Sequence, residues 1–193
     1  MSKKSIIALA IVAVIALWGV TTYNGLIPLQ ENVEKQWGNV QNAYQRRADL
    51  IPNLVATVKG YAEHEKSTLE EITNARTKAT QMTVNVDDLT PEKLQEFQKV
   101  QGELSTALGR LIAITENYPD LKANQNFLEL QAQLEGTENR INVERKNFNE
   151  AAQEYNTKVR RFPTSVLASI FGFGRKPYFE ADAGSSVAPT VQF

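Results

Sequence analysis

The feature that most constrains this chain is an apolar stretch, Ile6–Val20, which carries no charged residue. Counted from Ser5 to Tyr23 the stretch has 19 residues, and at about 1.5 Å per residue a helix of that length nearly matches a hydrocarbon core of about 30 Å. Trp18 and Tyr23 stand at its far end, where aromatic rings prefer the membrane interface. The sequence therefore predicts a membrane anchor over residues 1–23. The predicted transmembrane residues include Ile6, Leu9, Val12, Ile15, Trp18 and Val20.

A cleaved signal peptide is the alternative interpretation of this stretch. The pair Lys3-Lys4 and the apolar run fit a signal peptide as well, although the run is long for one. No A-x-A cleavage site follows, and residues 20–24 (VTTYN) form a poor cleavage context. We therefore expect the segment to remain on the mature chain as a single-pass anchor.

Charge predicts the orientation of the anchor. Lys3 and Lys4 precede the span, and the first charged residues after it are Glu31, Glu34 and Lys35. Because basic residues favour the cytoplasmic side, the N-terminus is expected in the cytoplasm and residues 24–193 outside it. The opposite arrangement, with these residues in the cytoplasm, is the alternative.

Beyond the anchor, four runs of apolar residues at helical spacing predict an all-α fold, an antiparallel up-and-down bundle over residues 24–163. A connecting loop is expected over residues 82–88, followed by the helix start Thr90-Pro91. Two arrangements remain open. In the favoured one Pro52 marks a reversal, Asp49 caps the second of four helices, and the fourth helix ends beside the membrane. In the other, Pro52 only kinks the first of three long helices.

A short amphipathic segment is predicted over residues 164–180, and a disordered tail over residues 181–193. With four helices the short segment would lie flat in the headgroup region, with Arg175 and Lys176 near phosphates. With three helices it would cap the distal end of the bundle. The charged residues of the fourth run, which include Glu138 and Glu144, are expected on a solvated face.

The composition offers little catalytic chemistry. The chain has no cysteine and one histidine, His64, which is expected on the second helix. No second ligand stands at zinc spacing from His64, and no G-x-S-x-G motif is present, so neither a metal site nor a nucleophile is predicted. The net charge of −1 gives no basic footprint for nucleic acid. We expect a non-enzyme with no cofactor.

Several ordered motifs resemble those of the LemA family. They are RRADLIPNLV at 46–55, VKGYAEHE at 58–65, NFLELQ at 126–131, FN at 148–149, YN at 155–156, FP at 162–163, FGF at 171–173 and YFE at 178–180. The resemblance covers residues 6 to about 180. It implies a bacterial inner-membrane protein with one N-terminal helix, a helical bundle and no assigned biochemical role.

The motif residues are candidates for interaction. The amides Asn53, Asn149 and Asn156 are expected to bond between helices or to face water, and Tyr61 and Tyr155 to pack by their rings with the hydroxyl at the rim. The remaining candidates are Asp49, Pro52, His64, Asn126, Phe127, Arg145, Phe162, Pro163, Phe171 and Phe173.

The expected function is a scaffold or adaptor that binds membrane lipid and either unidentified envelope proteins or its own copies. A ligand-sensing extracytoplasmic bundle is the alternative.

We predict that residues 1–23 remain on the mature protein, because the apolar run is long enough to span and no cleavage site follows it. Intact-mass spectrometry of the protein from the membrane fraction tests this. A mature chain that begins after Val20 would contradict the prediction.

Overall fold

The structure, a computed structural model, describes residues 2–62 and 64–180. These residues form six α-helices, one 3₁₀ turn and no β-strand, so the predicted all-α class is confirmed. The predicted disordered tail, 181–193, lies outside the described residues. The helices are α1 (Lys3–Lys59), α2 (Lys66–Gln81), α3 (Pro91–Thr115), α4 (Pro119–Lys122), α5 (Gln125–Arg160) and α6 (Thr164–Phe171), and the 3₁₀ turn is Val86–Asp88.

Helix α1 has 57 residues and two environments. It begins at the N-cap Ser2, whose hydroxyl accepts a hydrogen bond from the Ser5 N–H. Among the described helices, α1 alone is long and apolar enough to cross a membrane. None of its positions from 6 to 20 is buried, whereas burial begins at Leu26. One continuous helix is therefore both the candidate span and a wall of the bundle.

The four long helices run up, down, up and down, as the favoured arrangement predicted. Helix α1 packs against α5 and α2, and α2 packs against α3. Trp37 meets Phe148 while Arg47, further along α1, meets Glu138, so α1 and α5 are antiparallel. Helix α5 therefore ends beside the point where the candidate span enters the bundle, and α6 follows at that end.

The predicted position of the first reversal is wrong. Pro52 lies inside α1, which continues to Lys59, and the chain reverses between Lys59 and Lys66 instead. Asp49 does not cap a helix. It is an exposed residue of α1 whose carboxylate accepts a hydrogen bond from Gln45 Nε2 at 2.8 Å.

A hydrogen bond to the carbonyl of Ala48 helps to explain why α1 tolerates Pro52. A proline has no N–H to donate, so the carbonyl of Ala48, four residues earlier, loses its helical partner. Arg76 of α2 donates its Nε–H to that carbonyl at 2.7 Å. The apolar stripe of α1 continues across the proline, with Ile51, Leu54 and Val58 buried, so packing against the bundle keeps this part of the chain helical.

The core consists of two apolar clusters. One, nearer the membrane end, is centred on Trp37, Phe97 and Phe148. The other, nearer the distal end, contains residues of all four long helices, among them Ile51 and Leu111. Arg47 of α1 lies between the two clusters in sequence, and its side chain is only 2% exposed.

The start of α3 follows the sequence prediction. Thr90 is the N-cap, its hydroxyl accepts a hydrogen bond from the Lys93 N–H at 3.2 Å, and Pro91 is the first helical residue. The connection before it contains the 3₁₀ turn, and Val84 and Leu89 are buried there.

We predict that Arg76→Ala lowers the free energy of unfolding by about 1.5–3 kcal/mol, the range for hydrogen bonds from charged groups. In a Pro52→Ala background the same change should cost less, because the new main-chain N–H at position 52 can satisfy the Ala48 carbonyl. Thermal or denaturant unfolding in detergent measures both. Lys78→Ala, on the exposed side of α2, is the control and should change stability by less than about 0.5 kcal/mol. Equal costs of Arg76→Ala in the two backgrounds would contradict the account.

Candidate interaction site

The most elaborate polar arrangement in the described chain holds an extended segment, residues 173–180, which we call the strap. The strap begins after Gly172, which ends α6 with a φ of 76°. A positive φ is strained for residues with a Cβ, so glycine suits this turn. The strap then runs along α5, back toward the middle of the bundle.

Two asparagines of α5 bind the main chain of the strap. Asn156 accepts the Lys176 N–H through Oδ1 at 2.9 Å and donates through Nδ2 to the Lys176 carbonyl at 2.8 Å. Asn149 repeats the arrangement with Phe179, at 2.8 and 2.9 Å. Each side-chain amide therefore replaces the neighbouring strand that an extended backbone would otherwise need.

The spacing of these residues explains why the two contacts fit together. Asn149 and Asn156 are seven residues apart, so a helix separates them by about 10.5 Å on one face. Lys176 and Phe179 are three residues apart, which spans about 10 Å in an extended chain. The strap runs antiparallel to α5, because Lys176 pairs with Asn156 and Phe179 with Asn149.

Phe179 is the apolar anchor of the strap. Its ring centroid lies 6.0 Å from that of Trp37 and 5.5 Å from that of Phe148. The guanidinium of Arg145 lies over the same ring, 5.1 Å from its centroid. Buried aromatic pairs of this kind add stabilisation beyond the area they bury.

Both halves of the strap are also tied to the α2–α3 side of the bundle. The Lys176 ammonium donates to the Val86 carbonyl at 3.0 Å. At the other end, the Glu180 carbonyl accepts hydrogen bonds from Gln98 Nε2 at 3.2 Å and from Arg145 at 2.9 Å. The strap therefore bridges α3 and α5, two helices with little direct contact between their backbones.

These contacts correct one prediction about the motif amides. Asn149 and Asn156 bond to the main chain of the strap, and not to another helix. Asn53, by contrast, is exposed, as the alternative allowed. The sequence contained a usable signal, since two asparagines at a seven-residue spacing share one helix face.

The sequence interpretation missed the buried Arg47 network. The guanidinium donates to Ser105 Oγ at 2.6 Å, to Glu138 Oε2 at 3.0 Å, and to the carbonyl and side-chain oxygens of Gln101 at 3.0 and 2.9 Å. Gln101 in turn donates to the Ala79 carbonyl of α2 at 3.3 Å. One charged group therefore links α1 to α3 and α5 directly, and to α2 through Gln101.

The signal for Arg47 was its position on the apolar stripe of α1, three residues after Tyr44 and four before Ile51.

The predicted position of Glu144 on α5 is also wrong. Glu144, expected on a solvated face, is buried and pairs with Arg140 at 2.7 Å. Glu144 lies on the buried stripe between Ile141 and Phe148, so helical periodicity again marked it.

The distal end of the bundle is closed by two tyrosine contacts. Tyr61 is 43% exposed, so its ring packs less closely than expected, and its hydroxyl accepts a hydrogen bond from Asn124 at 2.8 Å. Tyr118 donates to the Glu65 carboxylate at 3.0 Å, and this hydrogen bond raises the pKa of the Tyr118 hydroxyl. His64 is exposed in the turn between α1 and α2, and not on α2 as expected.

Tyr155 departs from the prediction that its hydroxyl would reach the rim. The whole residue is 1% exposed, and burial raises the pKa of its hydroxyl.

Phe127 is buried in the distal core and Asn126 is exposed beside it. Both lie in the first turn of α5, whose N-cap Asn124 accepts the Phe127 N–H.

The remaining motif residues lie at the membrane end. Phe162 and Pro163 join α5 to α6 through a cis peptide bond, and both are exposed. The rings of Phe171 and Phe173 lie 5.2 and 5.5 Å from the ring of Tyr23 on α1.

The groups around the strap bind two kinds of chemical group, an extended main chain and one aromatic side chain. Within residues 2–62 and 64–180 no group of three or more carboxylates or histidines is arranged to hold a metal ion. Arg47, Asn149 and Asn156 all bond the chain to itself. These residues serve assembly of the fold, and they define a helical-bundle protein with a candidate membrane helix.

Comparison with known proteins agrees with this class. The model of the LemA family matches residues 36–193, and the chain belongs to that family. Magnetosome protein MamQ 2 of Paramagnetospirillum magneticum is 28% identical over 204 aligned residues, which cover 95% of this chain and 74% of that protein. Protein LemA of Metamycoplasma hominis is 27% identical over 159 residues, which cover 82% of this chain and 68% of that protein.

We predict that Asn156→Ala releases the strap, because the Lys176 N–H and carbonyl lose their partner at a cost of about 1–3 kcal/mol. Hydrogen exchange of the Lys176 and Phe179 amides measures the loss of protection, which should be about tenfold or more. Asn142→Ala, an exposed asparagine on the same helix, is the matched control and should leave both amides protected. Unchanged exchange at Lys176 in the Asn156 variant would refute the role of the clamp.

Proposed function

We propose that this LemA-family protein is a non-catalytic scaffold or adaptor, anchored once in the bacterial inner membrane by α1, with its bundle on the extracytoplasmic side. The observation that carries the proposal is the continuity of α1. The same helix supplies an exposed apolar span and then the wall of the bundle, with no linker between them.

This continuity supports a scaffold because it limits how the bundle can move. The 36 residues of α1 from 24 to 59 are about 54 Å long at helical rise. A flexible linker would let the bundle sample many orientations, whereas an unbroken helix restricts its height and tilt. A surface held at a fixed height suits a protein that positions partners beside a membrane.

The surface we assign to partners is a shallow groove between α1 and α5, on the outside of the bundle. Its lining is mostly polar, with small residues that leave space between the helices. A shallow polar groove fits a protein surface better than a small ligand, which usually needs an enclosed and largely apolar pocket. The lining residues include Asn39, Asn42, Arg46, Gln133, Gly136 and Arg140.

The proposed sidedness rests on charge alone. Lys3 and Lys4 precede the span, and no basic cluster directly follows it. The relatives named as magnetosome proteins support membrane association of the family but do not bear on sidedness.

Photo-crosslinking in cells tests the adaptor. A photoreactive residue in place of Arg46, in the groove, should yield a discrete crosslinked species that contains another envelope protein or a second copy of the chain. Lys99 of α3, which is exposed and lies outside the groove, is the control site and should yield little of it. Equal yields at the two sites, or none at Arg46, would contradict a partner on this face. A metabolite retained through purification without a protein partner would favour the sensing bundle.

A cysteine variant tests the sidedness within the same proposal. The chain has no cysteine, so Lys99→Cys gives one labelling site. A membrane-impermeant maleimide should label it in cells whose inner membrane is intact. Labelling only after lysis would reverse the topology.

A further inference from the structure

Helix α6 has one face against the bundle and one face that no described residue covers. Thr164 and Ala168 are buried on the inner face. On the outer side Val166 and Ile170 are 51% and 69% exposed, and Phe162, just before the helix, is 79% exposed. Large apolar side chains grouped in this way are unfavourable in water and usually mark a binding surface.

The position of this apolar face in the fold identifies what covers it. The ring of Phe171, itself 54% exposed, meets the ring of Tyr23 edge to face at 5.2 Å. Tyr23 is the residue at which the apolar stretch of α1 ends, so it marks the expected level of the membrane surface. The outer face of α6 therefore lies beside the point where α1 would leave the bilayer, and it continues the apolar surface of the span.

The charged residues of the segment that contains this face are all basic. Residues 160–176 contain four basic residues and no acidic residue. Lys176 is engaged with Val86 and lies 4.0 Å from Asp87, so it is held by the bundle. Arg160, Arg161 and Arg175 are exposed. Apolar residues at the membrane level with exposed cations beside them are the composition of a helix that lies in the headgroup region.

We propose that Phe162 and the outer face of α6 bind the surface of the same bilayer that α1 crosses, with the exposed arginines on anionic lipid headgroups. The bundle then stands on two contacts, the span and an in-plane foot. The second contact restricts rotation of the bundle about the α1 axis, which a single membrane-spanning helix leaves free. The inference rests on α1 as the anchor, and it is independent of any protein partner.

Spin labels in the full-length protein, reconstituted in nanodiscs, test the foot. Because the chain has no cysteine, Ile170→Cys, Val143→Cys and Val12→Cys each place one label. Val143 is the matched control, since it is aliphatic, 50% exposed and located higher on α5. Val12 reports on the anchor. Accessibility to oxygen and to a water-soluble nickel chelate measures the depth of each label, in phosphatidylcholine with and without phosphatidylglycerol.

We expect the Ile170 label to lie roughly 5–10 Å below the phosphates and to favour oxygen over nickel, as an interfacial helix would. The Val143 label should favour nickel, and the Val12 label should be deepest. Phosphatidylglycerol should deepen the Ile170 label, and Arg160→Gln combined with Arg161→Gln should reduce that shift. The thermal unfolding midpoint of each labelled variant checks that the bundle is intact.

Three results would overturn the proposal. If the label at Ile170 were as accessible to the nickel chelate as the label at Val143, the outer face of α6 would be exposed to water. Exclusion of both reagents together with dipolar broadening between labels would mean that a second copy covers the face. A shallow Val12 label would mean that α1 does not cross the bilayer and would remove the anchor on which the proposal rests, whereas either of the first two results with a deep Val12 label would leave that anchor in place.

Discussion

The structure depends first on the placement of the Arg47 guanidinium. It lies between the two apolar clusters and donates hydrogen bonds to Ser105, Glu138 and Gln101. A buried cation is expensive unless it is hydrogen-bonded. The terminal nitrogens of Arg47 have partners, although its buried Nε has none among the described residues, and helices that slid past one another would leave the whole charge without partners. Apolar stripes alone permit several registers, whereas the arginine network favours one. We attribute the alignment of α1, α3 and α5 largely to this constraint.

The strap and the proline contact extend the same principle to other parts of the bundle. Pro52 leaves the Ala48 carbonyl without a helical donor, and Arg76 supplies one from α2. Asn149 and Asn156 supply the bonds that an extended chain otherwise lacks. In each case a side chain forms a hydrogen bond with a backbone group that regular secondary structure leaves without a partner. Each of these contacts joins elements that are far apart in sequence.

These contacts give the family motifs a physical meaning. The segment 46–55 contains Arg47, Ala48 and Pro52, which together fix α1 against its neighbours. The motifs at 148–149, 155–156 and 178–180 are the two sides of the strap clamp. The conspicuous residues of this chain therefore serve its assembly, and the surfaces left for function are the α1–α5 groove and the outer face of α6.

The sequence by itself determined the helical periodicity, the apolar span, the helix start at Thr90-Pro91 and the amphipathic segment after Pro163. Each of these follows from neighbours along the chain, since spacing and capping are local properties. It did not determine where the first helix ends, because a local rule breaks a helix at Pro52 and the compensating donor, Arg76, lies 24 residues away. Nor could it match Asn156 with Lys176, or Arg47 with Glu138 some 91 residues later. Those pairs exist only once four antiparallel helices set their register, and so tertiary structure alone decided them.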